Sequence, residues 1–218
     1  MRGVPVRKIS LILIMAGILA GADYDFQLAR VKYRGGGDWY NDPDVLPNLA
    51  AELQKRAGVA VAPDQAVVDI GSREIFNYPF LYLTGHGNIR LTEDEAKNLR
   101  EYLEKGGFLY ADDDYGMDRS FRREIKKVFP DRELVELPFD HPIYHLFYDF
   151  PKGLPKIHEH KPGPPHGYGI FIGDRMVVYY TYNTNISDGW TPNHNDPQEK
   201  REAAFKMGIN IVLYSLTY

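Results

Sequence analysis

The sequence predicts an α/β fold on a doubly wound, mostly parallel sheet, closed by a C-terminal hairpin and helix. Two observations predict it. Short apolar strands alternate with amphipathic helices, the pattern that buries a parallel sheet on both faces. Two of those apolar runs, Phe80–Thr84 and Phe108–Ala111, lead directly into polar ends, Gly85-His86-Gly87 and Asp112-Asp113-Asp114. Open parallel sheets bind ligands beyond the carboxyl ends of their strands, so those ends are where a site is expected.

Taken in order, Phe26–Tyr33 alternates apolar and polar residues and reads as a strand ending at Gly35-Gly36-Gly37-Asp38. A helix follows from about Asp44 to Arg56, with Leu46, Leu49 and Leu53 at helical spacing and Gly58 as its stop. Ala66–Ile70 is a short β-branched run, and Phe80–Thr84 is a buried strand. Thr92 and Glu95 form a capping box for the next helix, whose apolar stripe is Leu99, Tyr102 and Leu103 and whose stop is Gly106. Phe108–Ala111 is the strand that runs into the aspartates. Ser120–Phe129 is a basic helix ended by Pro130, and Leu134–Leu137 is a further strand. Residues 138–167, rich in proline and histidine, read as a partly ordered excursion over one edge of the sheet. Tyr168–Ile172 and Met176–Thr181, joined by Gly173-Asp174-Arg175, form a hairpin, and Gln198 to about Tyr214 is the closing helix.

Ahead of this domain, Arg2, Arg7 and Lys8 precede the apolar run Ile9–Leu19 and then Ala20-Gly21-Ala22, the three parts of a cleavable export signal. The run is short for a spanning helix, which needs about 20 apolar residues. The expectation is a signal over residues 1–22 and a single domain over 23–218, secreted or periplasmic, with no stable membrane span. Cleavage removes three basic residues and no acid, taking the formal charge from −4 to −7. An acidic domain does not suit a nucleic-acid partner, which calls for a basic face. With no cysteine there is no disulfide, thiol nucleophile or thiolate metal site.

The strand ends carry the candidate chemistry. His86 lies between Gly85 and Gly87, which allow a sharp turn and expose the imidazole. Three adjacent carboxylates, Asp112, Asp113 and Asp114, repel one another and need a metal, an arginine or a shared proton, or else one of them caps the next helix. His86, Asp112 and Asp113 are therefore the candidate catalytic residues; Gly85, Gly87, Asp114, Trp39, His141 and Trp190 are the candidate ligand contacts. Trp39 and Tyr40 follow the glycines, and Trp190 follows Asn183, Asn185 and Asp188; flat rings beside amides and carboxylates suit a saccharide-like ligand, or simply cover a core edge. His158, His160 and His166 cluster in a proline-rich loop that lacks the helical His-Glu-x-x-His spacing, so no metal ligand and no cofactor is assigned. Gly35-Gly36-Gly37 lacks the Gly-Lys-Ser/Thr end of a phosphate loop.

Ala29-Arg30-Val31-Lys32-Tyr33 with Gly37-Asp38-Trp39, the stretches Tyr78–Gly87 and Gly106–Asp113, and His141-Pro142-Ile143-Tyr144 resemble the exported bacterial family called domain of unknown function 4159. The resemblance covers nearly all of residues 26–218. It implies a flavodoxin-like sheet of the class I glutamine amidotransferase type and no established activity. Those enzymes carry a cysteine in the turn after a central strand; here the equivalent strand leads to Asp112-Asp113, so thiol-based glutamine hydrolysis is excluded.

Two functions fit these residues. One is a non-thiol amidotransferase-like domain that binds a small polar ligand or a protein partner, which is the reading the sequence favours. The other is a hydrolase using His86 and Asp112–Asp114, with or without a metal helped by His141. Convergence of His86, Asp113 and His141 is the feature that separates them.

Overall fold

The computed structural model describes residues 24–218, and the expected export signal lies outside the described residues. The strands are β1 (Ala29–Lys32), β2 (Ala66–Asp69), β3 (Phe80–His86), β4 (Phe108–Tyr115), β5 (Val135–Glu136), β6 (His166–Ile172) and β7 (Arg175–Tyr182). The helices are α1 (Val45–Ala57), α2 (Glu93–Glu104), α3 (Asp118–Val128) and α4 (Gln198–Thr217), with short 3₁₀ turns at Arg73–Asn77, Pro142–Tyr144 and Ser187–Trp190. All seven strands join one sheet in the order β2-β1-β3-β4-β7-β6-β5. The first five are parallel; β6 and β5 extend the sheet by antiparallel pairing. The fold is thus α/β with a mostly parallel sheet, compatible with a Rossmann- or flavodoxin-like class.

Period-two alternation explains the two faces. Along β3, Phe80 and Tyr82 face α1 and α4, while Leu81 and Leu83 face α2 and α3. Along β4, Phe108 and Tyr110 take the first side and Leu109 and Ala111 the second. Leu46, Leu49 and Leu53 of α1 with Met207 and Ile211 of α4 close one layer; Leu99 and Leu103 of α2 with Phe121 and Ile125 of α3 close the other. Thr92 caps α2 reciprocally with Glu95, and Gly58 ends α1 in the left-handed conformation.

The structure departs from the sequence reading in four places. Gly85-His86 and Asp112-Asp113-Asp114 belong to β3 and β4 themselves, not to the turns after them. β1 is shorter than expected, because Phe26 makes only one isolated bridge, to Val61. The hairpin does more than close the sheet, since its second strand, β7, pairs with β4 in the body of the sheet. Residues 138–167 are packed on a face, with Ile143, Tyr144 and Ile157 buried in the α1/α4 layer. There Asn210 of α4 satisfies the backbone at Ile143, Phe147 and Tyr148. Proline and histidine obscure the period of that segment, but a few large apolar side chains suffice to dock it. Among the described residues no helix is long and apolar enough to cross a membrane.

Candidate functional site

The chain leaves β1, forms β2 on one side, and returns past β1 to form β3 on the other. The strand order therefore reverses between β1 and β3, the position at which open α/β sheets bind ligands. The C-terminal ends of β1, β3, β4 and β7 open at the same edge because these strands are parallel. Six segments meet there: the loop after β1 with Asp38, Asn41 and Asp42; β3 with His86; β4 with Asp114; the 155–160 loop with His158 and His160; the turn after β7 with Asn185 and Asp188; and the segment holding His194 and Asp196.

Close backbone approach brings the first two together. Gly85 has φ +142°, and a Cβ there would lie 2.3 Å from the Tyr33 hydroxyl; one on Gly37 would lie 2.7 Å from the same oxygen. Tyr33 donates to the Thr84 carbonyl at 3.0 Å. With both glycines in place, Asp38 accepts the His86 backbone N–H and meets its Nδ1 at 3.0 Å. Gly85→Ala is expected to cost about 1–3 kcal/mol from strain alone, lowering the melting temperature by roughly 2–12 °C. A thermal melt checks this, and an unchanged midpoint would show that Tyr33 can withdraw.

Arg30, only 1% exposed, holds the next stretch. Its guanidinium donates to the carbonyls of Trp39, Asn41 and Asp42 at 2.6–2.8 Å, which fixes Asn41 and Asp42 over the sheet edge. The proline-rich loop is tied down through Thr184: its carbonyl accepts from Ile157 and His158 N–H, and its hydroxyl donates to Pro155.

The alternation of β4 decides what each aspartate does. Asp112 follows Tyr110 onto the α1/α4 side, fully buried, where its carboxylate accepts from the Thr181 hydroxyl and the Ser187 N–H. Asp113 points to the other side and accepts the Met117 N–H at 2.8 Å, fixing the turn into α3. Asp114 returns to the first side, past the packed layer, and enters the cluster. Its Oδ2 lies 3.3 Å from His86 Nδ1 and accepts from Asn41, while Oδ1 accepts from Asn185 at 3.0 Å. The same Asn185 amide donates to Asp188 at 3.2 Å. Asp112 and Asp113 are therefore structural acceptors, and Asp114 is the aspartate that joins His86.

Around Asp114 the remaining groups form three overlapping sets. In each set, one ligand atom from every residue lies within 4.8 Å of the others: His86, Asp114 and His160; His158, His160 and Asp188; and Asp42, Asp188 and His194. His194 Nε2 meets Asp42 at 2.9 Å and Asp188 at 3.7 Å. His158 meets Asp196 at 3.3 Å, and the second Asp196 oxygen is buried without a hydrogen-bond partner. Among the described residues, no lysine or arginine makes an ion pair with Asp38, Asp42, Asp114, Asp188 or Asp196; their ion-pair partners are histidines. Four non-glycine residues have left-handed backbone, Asp42, Asn183, Asn185 and Asn195. Three of them carry or adjoin cluster groups, and aspartate and asparagine are the residues that tolerate that conformation.

Burial shifts these acids upward, against the opposing charges of Lys161 at Asp113 and His86 at Asp114. Desolvation raises Asp114 to about 6, with the His86 charge opposing, and Asp113 likewise to about 6. Asp188 rises to about 8 through desolvation and then the charge of Asp114, and burial also raises Asp112. For His194, burial works downward but is outweighed by its bond to Asp42 and the charge of Asp188, so it is raised. His160 is lowered by desolvation and then by its three histidine neighbours.

Three expected ligand contacts do not enter the cluster. Trp190 is fully buried, wedged against Tyr82 and Tyr110 with its indole N–H on the Ala204 carbonyl, so it is a core residue. His141 accepts the Ile143 N–H and packs against Phe171 and Tyr214, away from His86. Trp39 lends its backbone carbonyl to Arg30 while its ring lies against Tyr40. Sequence reasoning missed Asp38, Asp42 and His194 altogether. Only their positions in asparagine- and glycine-rich turns hinted at them.

The fold and this edge define an α/β protein with a histidine–aspartate centre at the switch point of a parallel sheet. The sequence model of the family described as Domain of unknown function (DUF4159) matches residues 27–216, and the chain belongs to that family. No curated protein matches the chain.

Proposed function

We propose that this protein is a divalent-metal-dependent hydrolase of a small polar substrate, with its centre at the edge formed by β1, β3, β4 and β7. One observation carries the reading: four imidazoles and five carboxylates converge, and among the described residues no lysine or arginine makes an ion pair with those carboxylates. Neutral imidazole and carboxylate are the donor set of zinc, iron and manganese sites. His86, Asp114 and His160 suit one ion, and Asp42, Asp188 and His194 a second beside it, with His158 between them. Asp38 on His86 and Asp196 on His158 fit the carboxylates that orient ligating histidines in such centres. A bound divalent ion supplies a nucleophilic hydroxide near neutral pH and polarises the substrate. The chain's own part is to orient the His86 imidazole through Asp38, to place the carboxylates of Asp114 and Asp188 through Asn185 and the backbone at Asp42 through Arg30, and to leave His86 and His160 exposed towards an incoming molecule.

His86, Asp113 and His141 do not converge, the outcome that favours the binding module; the hydrolase reading rests instead on a different set, His86, His158, His160 and His194 with Asp42, Asp114 and Asp188. The test is metal analysis of purified protein, followed by assay on ester, phosphoester and amide substrates. Activity is expected to vanish with chelator and return with zinc or manganese. Protein that takes up no divalent ion would sink the reading.

We also infer kinship with the class I glutamine amidotransferase fold, with the polar end of β4 standing where those enzymes place a cysteine. Export is part of the same proposal, because residues 1–22 have the make-up of a cleavable signal. Mass spectrometry of protein from its own host is expected to find a mature chain starting at or near Asp23. A chain retaining Met1 would refute export by this route.

A further inference from the structure

Beside the histidine–aspartate centre lies an open cleft of about 560 Å³ lined by Gly87, Asn88, Gly116, Arg119, Ser120 and Arg123. Gly87 directly follows His86, and its N–H donates to Tyr115, whose ring packs 4.8 Å from that of His160. Cleft and centre therefore share a wall. Their charges are opposite: the centre is acidic, while the cleft presents two guanidinium groups and no carboxylate.

The arginines differ in how free they are. Arg123 donates to Asn88 and Ile89 and to Glu124, a buried acid that Lys127 also neutralises. Arg119 is exposed, and among the described residues it has no hydrogen-bond or ion-pair partner. Ser120 is spoken for, since its hydroxyl donates to carbonyls and accepts the Ile89 N–H. Arg119 and Ser120 stand in the first turn of α3, an eleven-residue helix, where the backbone dipole adds to the positive field and the one acid of the turn, Asp118, is paired with Arg122. Gly87 and Gly116 have φ of +84° and +78°, and a Cβ on either would meet nothing within 4 Å, so the floor is open.

We propose that this cleft binds a phosphate-like oxyanion carried by the substrate, placing the rest of the molecule over the neighbouring centre. Guanidinium forks match a tetrahedral oxyanion through paired hydrogen bonds. The cleft is open and shares a wall with the neighbouring centre, so a molecule held by its anionic end can extend over that centre. The substrate class is a phosphorylated small molecule. Its link to turnover rests on the hydrolase reading; the anion site itself does not.

The experiment titrates inorganic phosphate, by calorimetry, into the metal-free and the zinc-loaded full chain, wild type and Arg119→Ala. Arg119 supports nothing else in the fold, so the variant is expected to stay folded, and Arg119→Lys is the conservative companion. Metal-free wild type should bind phosphate, and Arg119→Ala should weaken it at least tenfold, with Arg119→Lys between the two. Phosphate bound only when zinc is present, and indifferent to Arg119, would place the anion on the metal and overturn the proposal while leaving the hydrolase reading intact. Arg119-dependent phosphate binding by a chain that takes no metal would uphold the anion site and overturn the hydrolase. No phosphate binding in either form overturns the anion site.

Discussion

Asp114→Asn is expected to lower divalent-metal affinity by at least about tenfold to a hundredfold, the effect seen even for groups one step removed from a metal, and to abolish hydrolysis. Asp112→Asn is expected to leave metal stoichiometry unchanged and to reduce stability instead. The two residues are neighbours but one, on the same side of β4, and ordinary reasoning would treat them alike. Their surroundings separate them. Both Asp112 oxygens are used by the protein, one by the Thr181 hydroxyl and the other by the Ser187 N–H. An amide in its place can keep the Ser187 N–H on its oxygen but must donate to Thr181, whose hydroxyl also meets Tyr110, so the fully buried network has to reverse, at a cost of about 1–3 kcal/mol. Asp114 also has both oxygens engaged, by Asn41, Asn185 and His86, but its carboxylate lies within ligand distance of His86 and His160, a set that Asp112 does not join. Inductively coupled plasma mass spectrometry gives the stoichiometry and a thermal melt gives the stability. Equal loss of metal in both variants would remove the distinction.

How much of this could be read from the residues depends on the length scale of each signal. The capping box at Thr92, the stop at Gly58 and the apolar stripes of α1 and α2 are local, and the structure has them where the sequence put them. The switch from apolar to acidic within β4 was visible, but not that the strand continues through it. Hydrophobicity marks where a strand is covered by helices, whereas backbone pairing with β3 and β7 carries it on. Of the candidate residues, His86 and Asp114 meet because two parallel strands end together. Trp190 stood open between a ligand contact and a cover for the core, because a tryptophan beside polar residues looks the same whether its ring points outward or, as here, into the α1/α4 layer. His158, His160 and His194 had no periodic context. Their approach to Asp188 depends on a loop docked through Thr184 and on contacts between distant segments, which one sequence does not display.

The metal-free protein is expected to lose stability between pH 5 and pH 8, and divalent metal is expected to cancel that loss. An ordinary aspartate ionises near 4, while Asp113 and Asp114 do so at about 6 in the folded chain and Asp188 at about 8. Raised folded values mean that the folded state holds more protons than the unfolded one throughout this window. Stability therefore falls as pH rises. The contribution is complete below pH 4 and gone once pH passes 8. One carboxyl moved from about 4 to about 6 withdraws about 3 kcal/mol in all and about half of that between pH 5 and pH 8; with Asp188 adding to it, a midpoint roughly 5–10 °C lower at pH 8 is the expected scale. His194, raised, acts in the same direction, whereas His160 and His141, lowered mainly by desolvation, act against it. Glu101, held at about 2 by Arg73 and Lys105, titrates below the window and leaves the slope alone. A divalent ion stabilises the ionised carboxylates and competes with their protons, so its stabilisation should grow with pH. Thermal melts with and without zinc at pH 5, 6.5 and 8 measure both slopes. The rise in melting temperature on adding zinc should be largest at pH 8 in the wild type and should shrink at every pH in Asp114→Asn. A metal-free protein whose midpoint climbs from pH 5 to pH 8 would mean that these buried acids already have counter-charges, and the case for a cation at this edge would fall with that result.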